Sequence, residues 1–109
     1  MAIAVVASGT QTATIGTEHT LATSTTGKTY VLVVDTVNMA NADILELRLY
    51  TIVLAAGAEG LAYIATFSNV QSTKIKYSVP VPANISCKAT LKQVAGTGRA
   101  YPWALLSID

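Results

Sequence analysis

The chain has 109 residues, seven Lys or Arg against six Asp or Glu, and a formal net charge of +1. The length is that of one ordinary domain, and the near-neutral balance excludes long-range capture of a nucleic acid or an acidic membrane surface. Apolar residues make up 51 % and charged residues 12 %, which excludes disorder, and a lone cysteine excludes an internal disulfide or a thiolate metal cluster.

No Lys or Arg precedes Lys28, and the first apolar run stops at Ala7. A secretory leader needs a basic start and a longer apolar core, so none is expected, and Cys87 is expected to stay reduced in a cytosol. Residues 1–28 are rich in Thr, Ser, Ala and Gly. They are expected to form an extended arm with short edge strands at Ile3–Ala7 and Thr17–Thr23. Tyr30–Asp35 is an almost unbroken apolar run, the pattern of a central strand. Asn38–Asp43 reads as a turn, because Asn and Asp satisfy their own backbone there.

Ile44–Leu54 alternates with period two. Leu45, Leu47, Leu49 and Val53 share one face, and Glu46, Arg48 and Tyr50 the other, which predicts a strand with the leucines inward. Ala55–Gly60 is then a hairpin loop. Leu61–Phe67 is the return strand, with Leu61, Tyr63, Ala65 and Phe67 on one face. This pairing also accounts for Leu49–Phe67, the richest apolar stretch, which Gly57, Glu59 and Gly60 break too soon for a membrane span. Asn69–Thr73 turns the chain. Lys74–Val79 alternates again, predicting Ile75, Tyr77 and Val79 inward and Lys74 and Lys76 outward, until Pro80 and Pro82 end it. Ile85–Val94 sets Ile85, Cys87, Ala89 and Leu91 against Ser86, Lys88, Thr90 and Lys92. A glycine-rich turn, Ala95–Arg99, leads to a last strand, Tyr101–Ile108. The pattern predicts an all-β fold. It is a single antiparallel β-sandwich, jelly-roll-like or Ig-like, of about seven or eight strands over 29–109, preceded by the arm.

Catalytic, metal-binding and cofactor-binding residues are expected to be absent. His19 is the single histidine and sits in a Thr-rich segment that would position a general base poorly. Cys87 falls on an inward face, where a thiol is an inert small hydrophobe. Together they cannot complete a zinc site. Gly96–Arg99 resembles a piece of a phosphate loop, but a strand rather than a helix follows it. Asp35, Asp43, Glu46 and Glu59 do not form a facing pair for glycosidic chemistry. Cross-strand pairing of Glu46 with Arg48, Lys88 and Lys92 explains the charges better. Asn84-Ile-Ser86 matches a glycosylation sequon, which carries no weight without export. The low charge points instead to contact surfaces. Tyr50, placed outward between charges, and Arg99, Tyr101 and Trp103, at a loop, are the candidate contact residues.

Two stretches, Ile44-Leu-Glu-Leu-Arg-Leu-Tyr-Thr51 and Thr90-Leu-Lys-Gln-Val-Ala-Gly-Thr-Gly-Arg-Ala-Tyr-Pro-Trp103, carry a resemblance that spans roughly residues 29–108. As a unit the chain resembles the small β-rich virion structural proteins of tailed bacteriophages. The resemblance implies a virion component made in the host bacterial cytoplasm. Its first form is a head decoration or cement protein, a homo-oligomer with a trimer favoured, whose partners are the major capsid protein and other virion proteins. A tail, neck or head-completion protein is the alternative within that setting. A carbohydrate-binding sandwich is the alternative outside it, and would need an exposed platform from Tyr50, Tyr101 or Trp103. The resemblance carries no catalytic residues, and neither nucleic acid nor membrane is an expected partner.

Overall fold

The computed structural model describes residues 2–108. They form nine strands and no helix: β1 (Ile3–Thr12), β2 (Glu18–Ser24), β3 (Lys28–Asp35), β4 (Ile44–Thr51), β5 (Gly60–Ser68), β6 (Ile75–Tyr77), β7 (Val81–Ala83), β8 (Cys87–Ala95) and β9 (Ala100–Ile108). Sheet A has the order β1-β9-β3-β6, with β7 also on β3, and sheet B the order β2-β8-β4-β5. All pairings are antiparallel. If β6 and β7 are one interrupted strand, the pairing is nested. β1 takes β9, β2 takes β8, β3 takes β6 and β7, and β4 takes β5. That nesting is the jelly-roll form of the sandwich.

The core lies between the inner faces. Sheet A gives Tyr30, Leu32, Val34, Tyr101 and Leu105, and sheet B gives Leu45, Leu47, Leu49, Cys87, Ala89 and Leu91, all buried. Each large aliphatic among them stabilises the fold by about 1.5–3 kcal/mol through removal from water. The expected faces of Ile44–Tyr50 and of Cys87–Lys92 are found as read.

Four expectations are corrected. Residues 1–28 are not an arm. β1 spans ten residues and pairs with β9 from Ile3↔Ile108 to Thr12↔Ala100, and β2 pairs with β8 along its length. Segments of Thr, Ser, Ala and Val that lack strong alternation still suit sheet edges, where one side of the backbone meets water. Second, β4 stops at Thr51, and Val53 lies 72 % exposed beyond it. Third, Leu61 is not on the face of Tyr63. A bulge passes Ala62, so Tyr63 opposes Leu49 but Leu61 opposes Tyr50, and one extra residue flips everything before it.

Fourth, β6 has the opposite orientation to the one expected. Ile75, Tyr77 and Val79 are exposed, and Lys76 takes the inner side, its ammonium 5.0 Å from the centroid of the Phe67 ring. The anchor is Ser78. Its backbone N–H donates to Leu32 O at 2.8 Å, and its Oγ accepts from Leu32 N at 2.9 Å. With Ser78 buried, period-two geometry turns Tyr77 out. The prolines also do not end the sheet, since Pro82 lies within β7 opposite Thr29. β7 pairs only with β3, an edge location that tolerates a residue with no N–H.

Candidate interaction faces

The outer face of sheet B carries a polar network over β2, β8 and β4, flanked on β5 by exposed Ile64 and Leu61. Glu18, Glu46, Arg48, Tyr50, Lys88, Thr90 and Lys92 meet there because β2, β8 and β4 align Glu18↔Lys92↔Glu46 and Thr20↔Thr90↔Arg48, and register partners share a face. Tyr50 Oη donates to Glu18 Oε2 at 2.6 Å, and Thr90 Oγ1 donates to the same oxygen at 2.7 Å. Arg48 Nη2 pairs with Glu46 Oε1 at 2.7 Å, and Nη1 lies 3.6 Å from Glu18 Oε1. Lys88 Nζ reaches Glu59 Oε1 at 2.8 Å and stands 4.7 Å from the Tyr50 ring centroid. Burial pushes the Glu18 carboxyl up, but the Thr90 and Tyr50 hydroxyls and the charges of Arg48 and Lys88 outweigh it and hold the group below its ordinary value. The hydrogen bond and charge of Glu59 raise Lys88. Arg48 and Lys88 are thus paired with all three carboxylates, and Lys92 lies between Glu18 and Glu46 in register.

Arg99, Tyr101 and Trp103 do not form a surface cluster. Arg99 and Tyr101 belong to a polar lock at one end of the sandwich. Asp43, 1 % exposed, accepts from Ala40 N at 2.8 Å, from Thr97 N at 3.0 Å and from Arg99 Nε at 2.9 Å. Burial raises this carboxyl, and those donors together with the Arg99 charge bring it below its ordinary value. Gln93 Oε1 accepts from Arg99 N at 3.1 Å and from Tyr101 Oη at 2.9 Å, while its Nε2 donates to Thr97 O at 2.7 Å. Tyr101 is 0 % exposed, and burial with the nearby Asp43 charge pushes its hydroxyl up to about 12. It therefore cannot serve as a contact residue. Gly96 has φ +91, and a side chain there would strike the Asp43 carboxylate, so the glycine-rich turn exists to admit Asp43 rather than a phosphate. Trp103 is half-buried against the core, beside Gly9. Of the four candidates only Tyr50 sits on an outward face, and the sheet-B network holds it there.

His19 Nε2 accepts from Thr14 N at 3.0 Å and closes the turn between β1 and β2. Cys87 is buried, and burial and the Glu59 charge push its thiol up to about 11.

The outer face of sheet A escaped the sequence reading. Register partners assemble it in rows. Ile3, Ile108, Thr29 and Pro82 form one, and Val5, Leu106 and Val31 the next. Ser8, Ala104, Val33 and Tyr77 follow, then Thr10 beside Pro102 and Asp35 beside Ile75. Asp35 is the one Asp, Glu, Lys or Arg in these rows, set at one end. Tyr77 is 66 % exposed and Val5 63 %. At the strand and residue spacings of a sheet, the rows cover on the order of 500 Å². The inversion of β6 supplies Ile75 and Tyr77, so no reading that sent them inward could find the face. Asp35, Ile75, Pro102 and Ala104 border a shallow apolar hollow within it.

No family model and no curated protein matches the chain. Among solved structures, it is similar to a chain in the structure of infectious bursal disease virus, Gx strain, with a TM-score of 0.50 and 14 % sequence identity. The match covers 98 % of this chain and 32 % of that one, so the chain spans about a third of its neighbour's length. At that identity the likeness is one of fold, and the nested two-sheet sandwich is what the chain shares with a protein of a virus.

Proposed function

We propose that the chain is a structural component of a virus particle that attaches to a larger shell through the outer face of sheet A. The observation that carries this reading is the contrast between the faces: sheet B carries a network of ion pairs and hydrogen bonds over β2, β8 and β4, while sheet A sets exposed Ile3, Val5, Ile75 and Tyr77 in rows free of Lys, Arg and Glu. Burying such a patch yields about 25 cal/mol per Å² before the costs of association. Its area is below the roughly 800 Å² per partner of a stable pairwise complex. Binding therefore relies on many copies held in a repeating lattice, where avidity multiplies weak single contacts. A molecule measuring 41 × 29 × 19 Å suits a plate lying flat on a shell with its charged face to solvent. The fold shared with a viral chain and the sequence resemblance to tailed-phage structural proteins support the same reading. Its finer form is a head decoration protein bound to the major capsid protein, with a binding role and no catalysis.

The test is to purify virus particles from the culture that makes this chain and analyse them by mass spectrometry. The chain is expected in the particles at many copies each, and purified chain added back to stripped particles is expected to rebind. Particles that lack it, or that fail to take it up again, overturn the proposal.

A further inference from the structure

The sandwich has four sheet edges, and they are not alike. β6 and β7 form one of them with three residues each, separated by Pro80 and carrying Pro82, with Lys76 turned inward. Short strands, prolines and inward charges all prevent a further strand from adding. β2 begins with a charge, Glu18, and bulges at Leu21. β5 bulges at Ala62 and adjoins Glu59. β1 is the longest strand, ten residues reading IAVVASGTQT, with no charge and no proline. It pairs with β9 alone, so the other side of its backbone has no strand beside it. A hollow of about 230 Å³, lined by Ala4, Val6, Ser24, Lys28, Tyr30 and Ser107, opens between the two sheets beside its first residues.

We propose that β1 pairs antiparallel with β1 of a second copy of this chain, joining two A sheets edge to edge. A row of backbone donors and acceptors is matched by another strand. Two identical strands brought together by a two-fold axis run antiparallel by symmetry, and each contact is made twice. No like charges meet across the junction, because β1 has none. Val5 and Val6, on either side of the bulge that shifts the register before Ala7, are both exposed and add apolar contact to the junction. The joined sheet runs from β6 of one copy to β6 of the other, and the apolar outer faces become continuous through Ile3 and Val5. This inference goes beyond attachment to a shell and does not rest on it.

The test uses the full chain, without particles. Sedimentation is expected to show a species of twice 11.3 kDa. Cysteines are then placed singly by Val5→Cys, Val6→Cys, Ala7→Cys, Ser8→Cys and Gly9→Cys, and mild oxidation should cross-link copies most strongly at one position and less on either side, where the strands diverge from the axis. Cys87 is buried and serves as the background. The doubly substituted Ile75→Lys/Tyr77→Lys chain, altered at the far edge of sheet A, is expected to remain a dimer. A chain that stays monomeric up to about 1 mM, a cross-linking profile with no maximum, or a dimer dissolved by the two lysines overturns the inference. Failure to bind particles touches none of these readouts.

Discussion

The outer faces of the two sheets are built on the same backbone plan and end in opposite chemistry. On sheet B, Glu18 and Glu46 pair with Arg48 and Glu59 with Lys88 through contacts as short as 2.7 Å, and Tyr50 and Thr90 donate to Glu18. On sheet A the equivalent positions hold Val5, Leu106, Val31, Val33 and Tyr77. A low total charge therefore does not make an evenly bland surface. The few charges are concentrated where they satisfy one another, and the opposite face is left apolar. One face is complete in the free molecule, and the other is completed by contact.

The largest effect expected from breaking this contrast comes from charging sheet A. Ile75→Lys with Tyr77→Lys puts two cations on exposed positions. It should weaken attachment to particles at least a hundredfold, about 2.7 kcal/mol, as measured by co-sedimentation. Folding stability should stay within about 0.5 kcal/mol, because surface changes away from buried features cost little. Unchanged attachment would break the comparison.

Asp43→Asn comes next and acts on neither face, so it separates damage to the fold from damage to a surface. It removes the charge from a buried acceptor of three N–H donors, and should cost about 2 kcal/mol in chemical denaturation. The pH dependence has a definite sign. The native carboxyl titrates below its ordinary value, so its contribution is whole above about pH 4 and is lost as pH falls through the lowered value. The stability gap between the native chain and Asp43→Asn should shrink in acid. A gap that widens there would contradict the assignment.

A smaller effect, about 1 kcal/mol, is expected from Glu18→Ala, which leaves the Tyr50 and Thr90 hydroxyls without their acceptor. Attachment to particles should be unaltered. If Glu18→Ala weakens attachment as much as the paired lysines do, sheet B is a contact face too.

The sequence was legible where alternation carried contrast. Ile44–Tyr50 interleaves leucines with charges, and Cys87–Lys92 interleaves apolar residues with lysines, so both strands and the Glu46–Arg48 pair could be read from period two alone, whereas Lys88 pairs with Glu59 rather than with Glu46. Elsewhere the same rule misled. In Lys74–Val79 the lysines looked like the wet side, yet Ser78 is the residue tied to Leu32, and a lysine on an edge strand can lie inward along an aromatic ring. Bulges at Val6, Leu21, Ala62 and Val94 shift register and leave no mark in composition. β1 and β2 consist largely of Thr, Ser, Ala and Val, whose faces differ too little for a period to stand out. Their partners, β9 and β8, lie far along the chain, beyond any local pattern. At the glycine-rich turn a related ambiguity holds: an Arg and an aromatic look alike there whether they face outward or, as Tyr101 does with its buried ring and Arg99 with its bond to Asp43, close over Asp43 and Gln93.

The most direct test of the two-face account is hydroxyl-radical footprinting of the chain free and bound to particles, read residue by residue by mass spectrometry. The account predicts that Val5, Ile75 and Tyr77 become protected on binding while Tyr50, Lys88 and Lys92 react as before. Protection of the sheet-B residues with Tyr77 still reactive would contradict it.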